Sequence, residues 1–267
     1  MVAISNLFTM SKISATIITF NEEGYIADCI DSLKSVADEI IVVDSFSQDS
    51  TKDICLKKKV HFAEHVFTSH IEQKNYALSL TSFDHVISLD ADERLSSQLV
   101  ESILLVKDSW PAEAYKMNRL STYGDKWIQR GNWYPDQKIR LWNKHVAQWG
   151  GNNPHDKIIL EPKFKPMHLK GDILHEAYLD SHEALQKIQL YSDIFAKENV
   201  GKLSSSVFKI MAHSSFTFFK SYIIKQGIFD GFEGLMVAMA EANHTFYKYA
   251  KLYEAERVQQ EKSKAAK

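Results

Sequence analysis

Four short runs of β-branched and apolar residues punctuate the first ninety positions: "KISATIITF", "DEIIVVD", "KVHFAE" and "HVISLD". Between them lie three segments of helical character. In "NEEGYIADCIDSL", Ile26, Cys29, Ile30 and Leu33 recur at helical spacing. "SQDSTKDICLKKK" opens with Ser and Asp, which cap helices, and "HIEQKNYALSLT" is helical again. Strand–helix alternation of this kind predicts a parallel sheet covered by helices. Ligands in such sheets bind beyond the carboxyl ends of the strands. Asp44 and Asp90 each close a run, and Thr19 does so just before Asn21 and Glu22.

The stretch "HVISLDADERLSSQLV" sharpens the expectation. Asp90, Asp92 and Glu93 follow a greasy strand within four positions. Neighbouring carboxylates in a low-dielectric setting cannot all stay ionised without a compensating cation. A magnesium or manganese ion fits, because both prefer oxygen ligands and leave positions open for phosphate oxygens. A helix N-terminus is the competing explanation, since acids suit its dipole. An Asp pair after a strand also suits a phosphatase-like nucleophile. In "VVDSFSQDST", Ser47 or Asp49 can cap the next helix, which leaves Asp44 free to accept hydrogen bonds from a base or ribose. Glu22 and Glu23 suit a helix start. Lys74, in "EQKNYAL", is either a solvated helix charge or a cation reaching a nucleobase or phosphate.

The 267 residues suffice for one α/β domain with an extension. A net charge of −2 supplies no global positive field, so nucleic acid is not an expected partner. Cys29 and Cys55 lie in helical segments and read as buried thiols of a reducing, cytoplasmic compartment. "MVAISNLFTM" has neither the charged start nor the apolar core of a signal peptide, so residues 1–11 are expected to be a loose leader.

The middle, from Pro111 to Lys170, is rich in Trp, Tyr, Gly, Asn and Pro. "AYKMNRLSTYG" and "QKIRLWNK" predict strands of a more antiparallel layer, and "RGNWYPDQ" and "WGGNNPHDK" predict loops that wall a binding site. Trp127, Trp133 and Trp149 offer surfaces for sugar rings, or are simply packed. From about Ser181 the chain turns helical, with Leu185, Ile188, Tyr191, Ile194 and Phe195 as the apolar stripe. Two further helices are split at "QGIFDG", and residues 259–267 form a polar, frayed tail. The apolar region from Val207 to Ala240 is interrupted by Lys209, Lys220, Lys225, Asp230 and Glu233, too often for a membrane span. It predicts either a hairpin packed on the rest of the chain or an interfacial helix making peripheral contact with an anionic bilayer.

The ordered set "ITFNEE", "VVDSFSQDST", "QKNYAL" and "LDADE" resembles family-2 glycosyltransferases of the GT-A fold. "WYPDQKIRLW", "WGGNNPHDK", "LKGDILHEAY" and "KYAKLYE" are similar to the lipopolysaccharide-core branch of that family, which includes β-glucosyltransferases. In that branch the late acidic loop reads Val-His-Glu, where this chain has Pro154-His155-Asp156. The resemblance implies a Rossmann-like, mostly parallel sheet flanked by helices over residues 12–180, with a nucleotide-sugar half to 115 and an acceptor half from 116. A helical extension over 181–258 follows.

It further implies a nucleotide-sugar pocket of Thr19, Asn21, Glu22, Asp44, Lys74 and Asp90, with the metal on Asp92. Arg140 is a candidate phosphate ligand. His175 is a candidate third metal ligand beside Asp92 and Asp90. Inverting transfer needs a general base to take the acceptor's proton. Asp156 is the first candidate, and Asp136 and Glu176 follow. The implied donor is a nucleotide diphosphate sugar, UDP-glucose foremost, and the acceptor a saccharide or glycolipid of the cell envelope. Two rival classes are a nucleotidyltransferase, disfavoured because "TFNEE" replaces its Gly-rich basic loop, and a non-catalytic sugar-nucleotide binder.

Overall fold

A computed structural model of the chain describes residues 11–152 and 155–265. Residues 1–10 of the expected leader, and Pro154 of the late acidic loop, lie outside the described residues. The opening alternation is realised element by element: β1 (Ile13–Thr19), α1 (Ile26–Leu33), β2 (Glu39–Asp44), α2 (Thr51–Lys58), β3 (His61–Glu64), α3 (His70–Ser79) and β4 (His85–Asp90). β1 pairs in parallel with both β2 and β4, and β2 with β3. Strands in this position are covered on both faces, which is why they are near-continuous apolar runs. Ile13, Ala15, Ile17, Val42, Ile87 and Leu89 join the α1 stripe of Ile26, Cys29, Ile30 and Leu33 in one core.

Beyond β4 come β5 (Glu93–Leu95), α4 (Ser97–Lys107), β6 (Ala114–Tyr123), β7 (Lys126–Trp127) and β8 (Asp136–Asn143). Next are β9 (Ala147–Asn152), β10 (His155–Leu160) and β11 (Met167–Tyr178). The main sheet has the order β3-β2-β1-β4-β8-β6-β11-β5, with β7 on β6. The expected antiparallel layer is part of this same sheet: β8 runs antiparallel to β4, and β5 antiparallel to β11. Only Ala91 and Asp92 link β4 to β5, although four strand spacings separate them along the sheet. A flat sheet would put the two about 19 Å apart, whereas so short a link reaches about 10 Å. The sheet therefore curls, and its far edge returns to the carboxyl end of its centre.

Three expectations need correcting. The described residues of "WGGNNPHDK" are strand and not loop: Ala147–Asn152 and His155–Leu160 pair antiparallel. Alternation puts Trp149 and Ile158 into a core with Trp142, and that burial outweighs the loop-like composition. The acids after β4 do not start a helix. A strand follows them, and α4 begins only at Ser97, where the Ser96 hydroxyl accepts from Leu99 N–H. On α5 (Ser181–Asn199), the buried residues are Ala184, Ile188, Ser192 and Ala196, while Leu185 is 47% exposed. Ile188 of the expected stripe is thus buried, small side chains flank it on this face, and the face packs against α7.

Two compact units divide the chain. One comprises residues up to Arg119 with Gln137–His175, and the other Leu120–Asp136 with the residues from Glu176 onward. The second holds α5, α6 (Val207–Phe219), a π-helical turn (Lys220–Ile224), a 3-10 turn (Gly227–Asp230) and α7 (Gly231–Ala265). The break at "QGIFDG" is thus the pair of turns between α6 and α7. A side chain at Gly234 would put Cβ 2.0 Å from the Gly227 carbonyl oxygen, so only glycine lets α7 lie against that turn. α7 carries the polar stretch from residue 259 in helical form as far as Ala265.

Candidate active site

The carboxyl ends of β1, β2 and β4 lie side by side. Thr19 is the register partner of Asp44, and Ile18 that of Asp90. The loops after β1 and β2 are laced together. Asn21 sits in the left-handed region at φ 54°, donates from its backbone to Ser47 Oγ at 2.8 Å and accepts from Gln48 N–H at 2.7 Å. Glu22 N–H donates to Thr51 Oγ1, and the Glu23 carboxylate accepts from Ser50 N–H at the start of α2. Glu23 thus serves the dipole of α2 as well as the turn before α1. Asp44 is fully buried and accepts from Ser47 N–H at 2.7 Å and from its hydroxyl. A local turn therefore does account for Asp44, contrary to the sequence expectation. Thr19 Oγ1 is buried with no hydrogen-bond partner.

The acidic turn after β4 carries the charge. Lys74 Nζ lies 2.8 Å from Asp90 and 2.8 Å from Asp156. Arg140 Nη2 lies 3.0 Å from both Asp90 and Glu93, and Arg119 Nη1 3.4 Å from Glu93. The other Glu93 oxygen accepts from Asp90 N–H at 3.0 Å and closes the turn. The Trp149 ring faces both cations, 4.3 Å from Lys74 Nζ and 5.4 Å from Arg140. It is buried edge-to-face on Trp142 and so is a packing residue, closed to sugar stacking.

Burial would raise the Asp90 carboxyl, but Lys74 and Arg140 outweigh it and hold it well below the usual carboxylate range. Burial works against the Arg140 charge in turn, and Glu93 and Asp90 push its pKa up. The thiol of Cys29 feels the same field: burial first, then Glu93, Asp92 and Asp90, push it well above its ordinary value. Cys29 and Cys55 are both buried and free.

The cations demanded by the acidic turn are therefore largely the protein's own. Lys74 and Arg140 neutralise Asp90, and Arg140 and Arg119 neutralise Glu93. The reading of Lys74 as a solvated helix charge fails, since it is buried. Asp92 stands apart. Its Oδ2 lies 3.4 Å from His175 Nε2, with 26% and 17% of the two side chains exposed. β11 brings His175 there because His175 is the register partner of Glu93.

Among the described residues no three His, Cys, Asp or Glu side chains converge as a metal site. The expected trio of Asp90, Asp92 and His175 is not assembled, because Asp90 is turned into the two cations. Of the three candidate bases, Asp156 belongs to this cluster. Glu176 follows His175 on β11, so its side chain points to the other face, where it accepts from Thr122 Oγ1 at 3.2 Å. Asp136 opens β8, half-buried, within the second unit.

Glu93 was one of the three acids singled out in the sequence, but its partner Arg119 and the buried Nη1 of Arg140, which has no hydrogen-bond partner among the described residues, escaped sequence reasoning. Nothing in the spacing of Arg119 and Arg140 reveals that they share one carboxylate.

Residues 14–159 match the family model described as glycosyl transferase family 2. The chain is 31% identical over 260 residues to an uncharacterized glycosyltransferase of Rickettsia typhi, covering 92% of this chain and 88% of that one. It is 27% identical over 253 residues to the lipopolysaccharide core biosynthesis glycosyltransferase LpsC of Rhizobium meliloti, covering 91% and 92%. Glucosyl-3-phosphoglycerate synthase of Mycobacterium tuberculosis overlaps 42% of this chain and 44% of its own, at 22% identity and a TM-score of 0.36, too partial to bear on ligands.

Proposed function

The chain belongs to glycosyltransferase family 2, and on that premise we propose that it moves glucose, with inversion, from UDP-glucose to a saccharide of the lipopolysaccharide core. Its similarity over nearly its whole length to LpsC supports the acceptor class. The observation that carries the donor side is Arg140 Nη1, a buried guanidinium nitrogen with no hydrogen-bond partner among the described residues. Leaving such a donor unsatisfied is costly, and a diphosphate oxygen satisfies it. Thr19 Oγ1, buried and likewise unpartnered at the end of β1, is the matching group for the nucleoside.

In this reading Thr19, Asn21, Glu22 and Asp44 shape the nucleoside pocket, and Asp90 holds the ribose. Lys74 and Arg140 face the diphosphate. Asp92 would hold a magnesium or manganese ion through its carboxylate oxygen, with the partly open His175 imidazole, 3.4 Å away, beside it. Such an ion, when bound, would supply charge neutralisation for the departing diphosphate. Asp156 takes the proton of the acceptor hydroxyl, with Asp136 and Glu176 as alternatives. It must first release Lys74, and a diphosphate that competes for Lys74 couples donor binding to the freeing of the base. No described helix is long and apolar enough to cross a membrane. We place the reaction in the cytoplasm, on a glycolipid acceptor at the inner face of the cytoplasmic membrane.

Calorimetric titration with UDP and UDP-glucose, each with manganese and with EDTA, tests the donor site. Metal-dependent UDP binding is expected. Binding indifferent to EDTA removes the metal, and no binding in either condition overturns the pocket. Single Asp156→Ala, Asp136→Ala and Glu176→Ala variants rank the bases, and near-normal turnover of Asp156→Ala removes the first choice.

A further inference from the structure

The second unit carries a surface that the transfer chemistry does not use. On α6, Ile210 and Ser214 face inward. The opposite arc of the helix presents Phe208, Phe216 and Phe219 to solvent, with Phe208 81% exposed. Lys209 and Lys220, eleven residues or about three turns apart, line one edge of that arc. The apolar surface continues past the helix end. Ile223 and Ile224 are exposed in the π-helical turn, Ile228 and Phe229 in the 3-10 turn, and Phe232 in the first turn of α7. Contiguous aromatic and aliphatic tips of this extent mark an interaction surface.

Charge selects the partner. Residues 207–232 contain three lysines, Lys209, Lys220 and Lys225, and all are exposed. Their single acid, Asp230, is buried, and its carboxylate is paired with Arg130 at 3.3 Å. The Arg130 guanidinium lies 5.6 Å from the centre of the Phe229 ring, so a further cation borders the apolar tips. Within residues 207–232 the charge offered to solvent is thus positive only, and the next acid along the chain, Glu233, is held by Lys126 at 3.3 Å. A symmetric contact of this segment with itself would bring its lysines together with no exposed acid of the segment to meet them. A plane of anionic headgroups over acyl chains complements both features.

We propose that residues 207–232 form a docking face for an anionic lipid bilayer. α6 lies in the interface, the phenylalanine and isoleucine tips enter the acyl boundary, and the lysines meet headgroup phosphates. The face sits apart from the donor residues in the sequence, and the inference does not depend on the identity of donor or acceptor.

The test is co-sedimentation of the full chain, without nucleotide, with vesicles of phosphatidylglycerol and phosphatidylethanolamine, against vesicles of phosphatidylcholine alone. Partitioning is expected to be ~10-fold stronger on the anionic vesicles and to weaken at high salt. A Phe208→Ser, Phe219→Ser, Phe229→Ser variant should lose ~10-fold or more in partitioning with an unchanged urea midpoint. A Lys209→Gln, Lys220→Gln, Lys225→Gln variant should lose the preference for anionic lipid. The proposal is overturned by absent partitioning on anionic vesicles, or by a phenylalanine variant that binds like the parent. It is equally overturned if light scattering without lipid shows a dimer that the phenylalanine variant dissociates, since a second copy then covers the face.

Discussion

Lys74 and Asp156, 82 residues apart in the chain, meet at 2.8 Å, and the same ammonium lies 2.8 Å from Asp90. One buried cation thus ties the acid at the end of a central strand to the hairpin that supplies the candidate base. Lys74 offsets the cost of holding the largely buried Asp156 carboxylate away from water, and shares Asp90 with Arg140.

Removing that cation should be felt twice. Lys74→Met keeps the side-chain length but leaves Asp156 unpaired and Asp90 with Arg140 alone. A loss of about 3 kcal/mol in urea unfolding is expected, the usual cost of breaking a buried pair from one side. UDP affinity should fall with it. Unchanged stability would mean that the pair is wetter than the geometry implies.

Asp92 and Asp90 should separate cleanly. Among the described residues Asp92 makes only a long contact with His175, so Asp92→Asn should fold with a near-parental melting temperature. Its turnover should drop ~100-fold or more if it carries the metal that neutralises the leaving group. Asp90→Asn should lose stability as well as activity, because it strips a counter-charge from Lys74 and Arg140. Full activity of Asp92→Asn with manganese present would remove Asp92 from the mechanism.

Acid should act through Asp90. Its folded pKa is depressed below the unfolded value, with Lys74 and Arg140 as the cause that overcomes burial. Its contribution is fully present above the unfolded value of about 3.9. It is lost as pH falls below that value toward the depressed folded one. Urea midpoints should therefore fall steeply below about pH 4, and Asp90→Asn should flatten that limb. An equally steep limb in the variant would assign the acid sensitivity to other carboxylates.

Glu241 should show the opposite sign. Burial raises its pKa, while hydrogen bonds from Ser221 and Asn132 act the other way. Its folded pKa lies above its unfolded one, so it destabilises the fold progressively as pH rises through the ordinary glutamate range and beyond. Glu241→Gln retains an acceptor for Asn132 and sheds the charge. It should raise the melting temperature at pH 7 by a few degrees, on the order of 1 kcal/mol, and change little at pH 4. A lower melting temperature at pH 7 would show that the carboxylate is needed there.

Sequence patterning carried the first half of the fold because that half is encoded locally. Buried parallel strands are apolar runs, α1 is a periodic stripe, and their alternation leaves one sensible arrangement. The strand ends therefore located Thr19, Asp44 and Asp90 before any coordinates were needed. Legibility failed where composition and pairing disagree. The hairpin of β9 and β10 has the glycines and asparagines of a loop, and only the pairing of Trp149 with Ile158 reveals it as sheet. On α5 Ile188 of the expected stripe is buried, yet beside it the face that meets α7 carries small residues in place of Leu185.

The sequence by itself determined the parallel sheet, the place of the acids at its carboxyl edge, and the family. Only the tertiary structure decided which of those acids are paired with buried cations and which is not. The physical reason is that a pKa depends on distance and burial. Lys74, Arg119 and Arg140 come from α3, β6 and β8, and the curl of the sheet brings them to one turn. There they claim Asp90 and Glu93 and leave Asp92 facing His175.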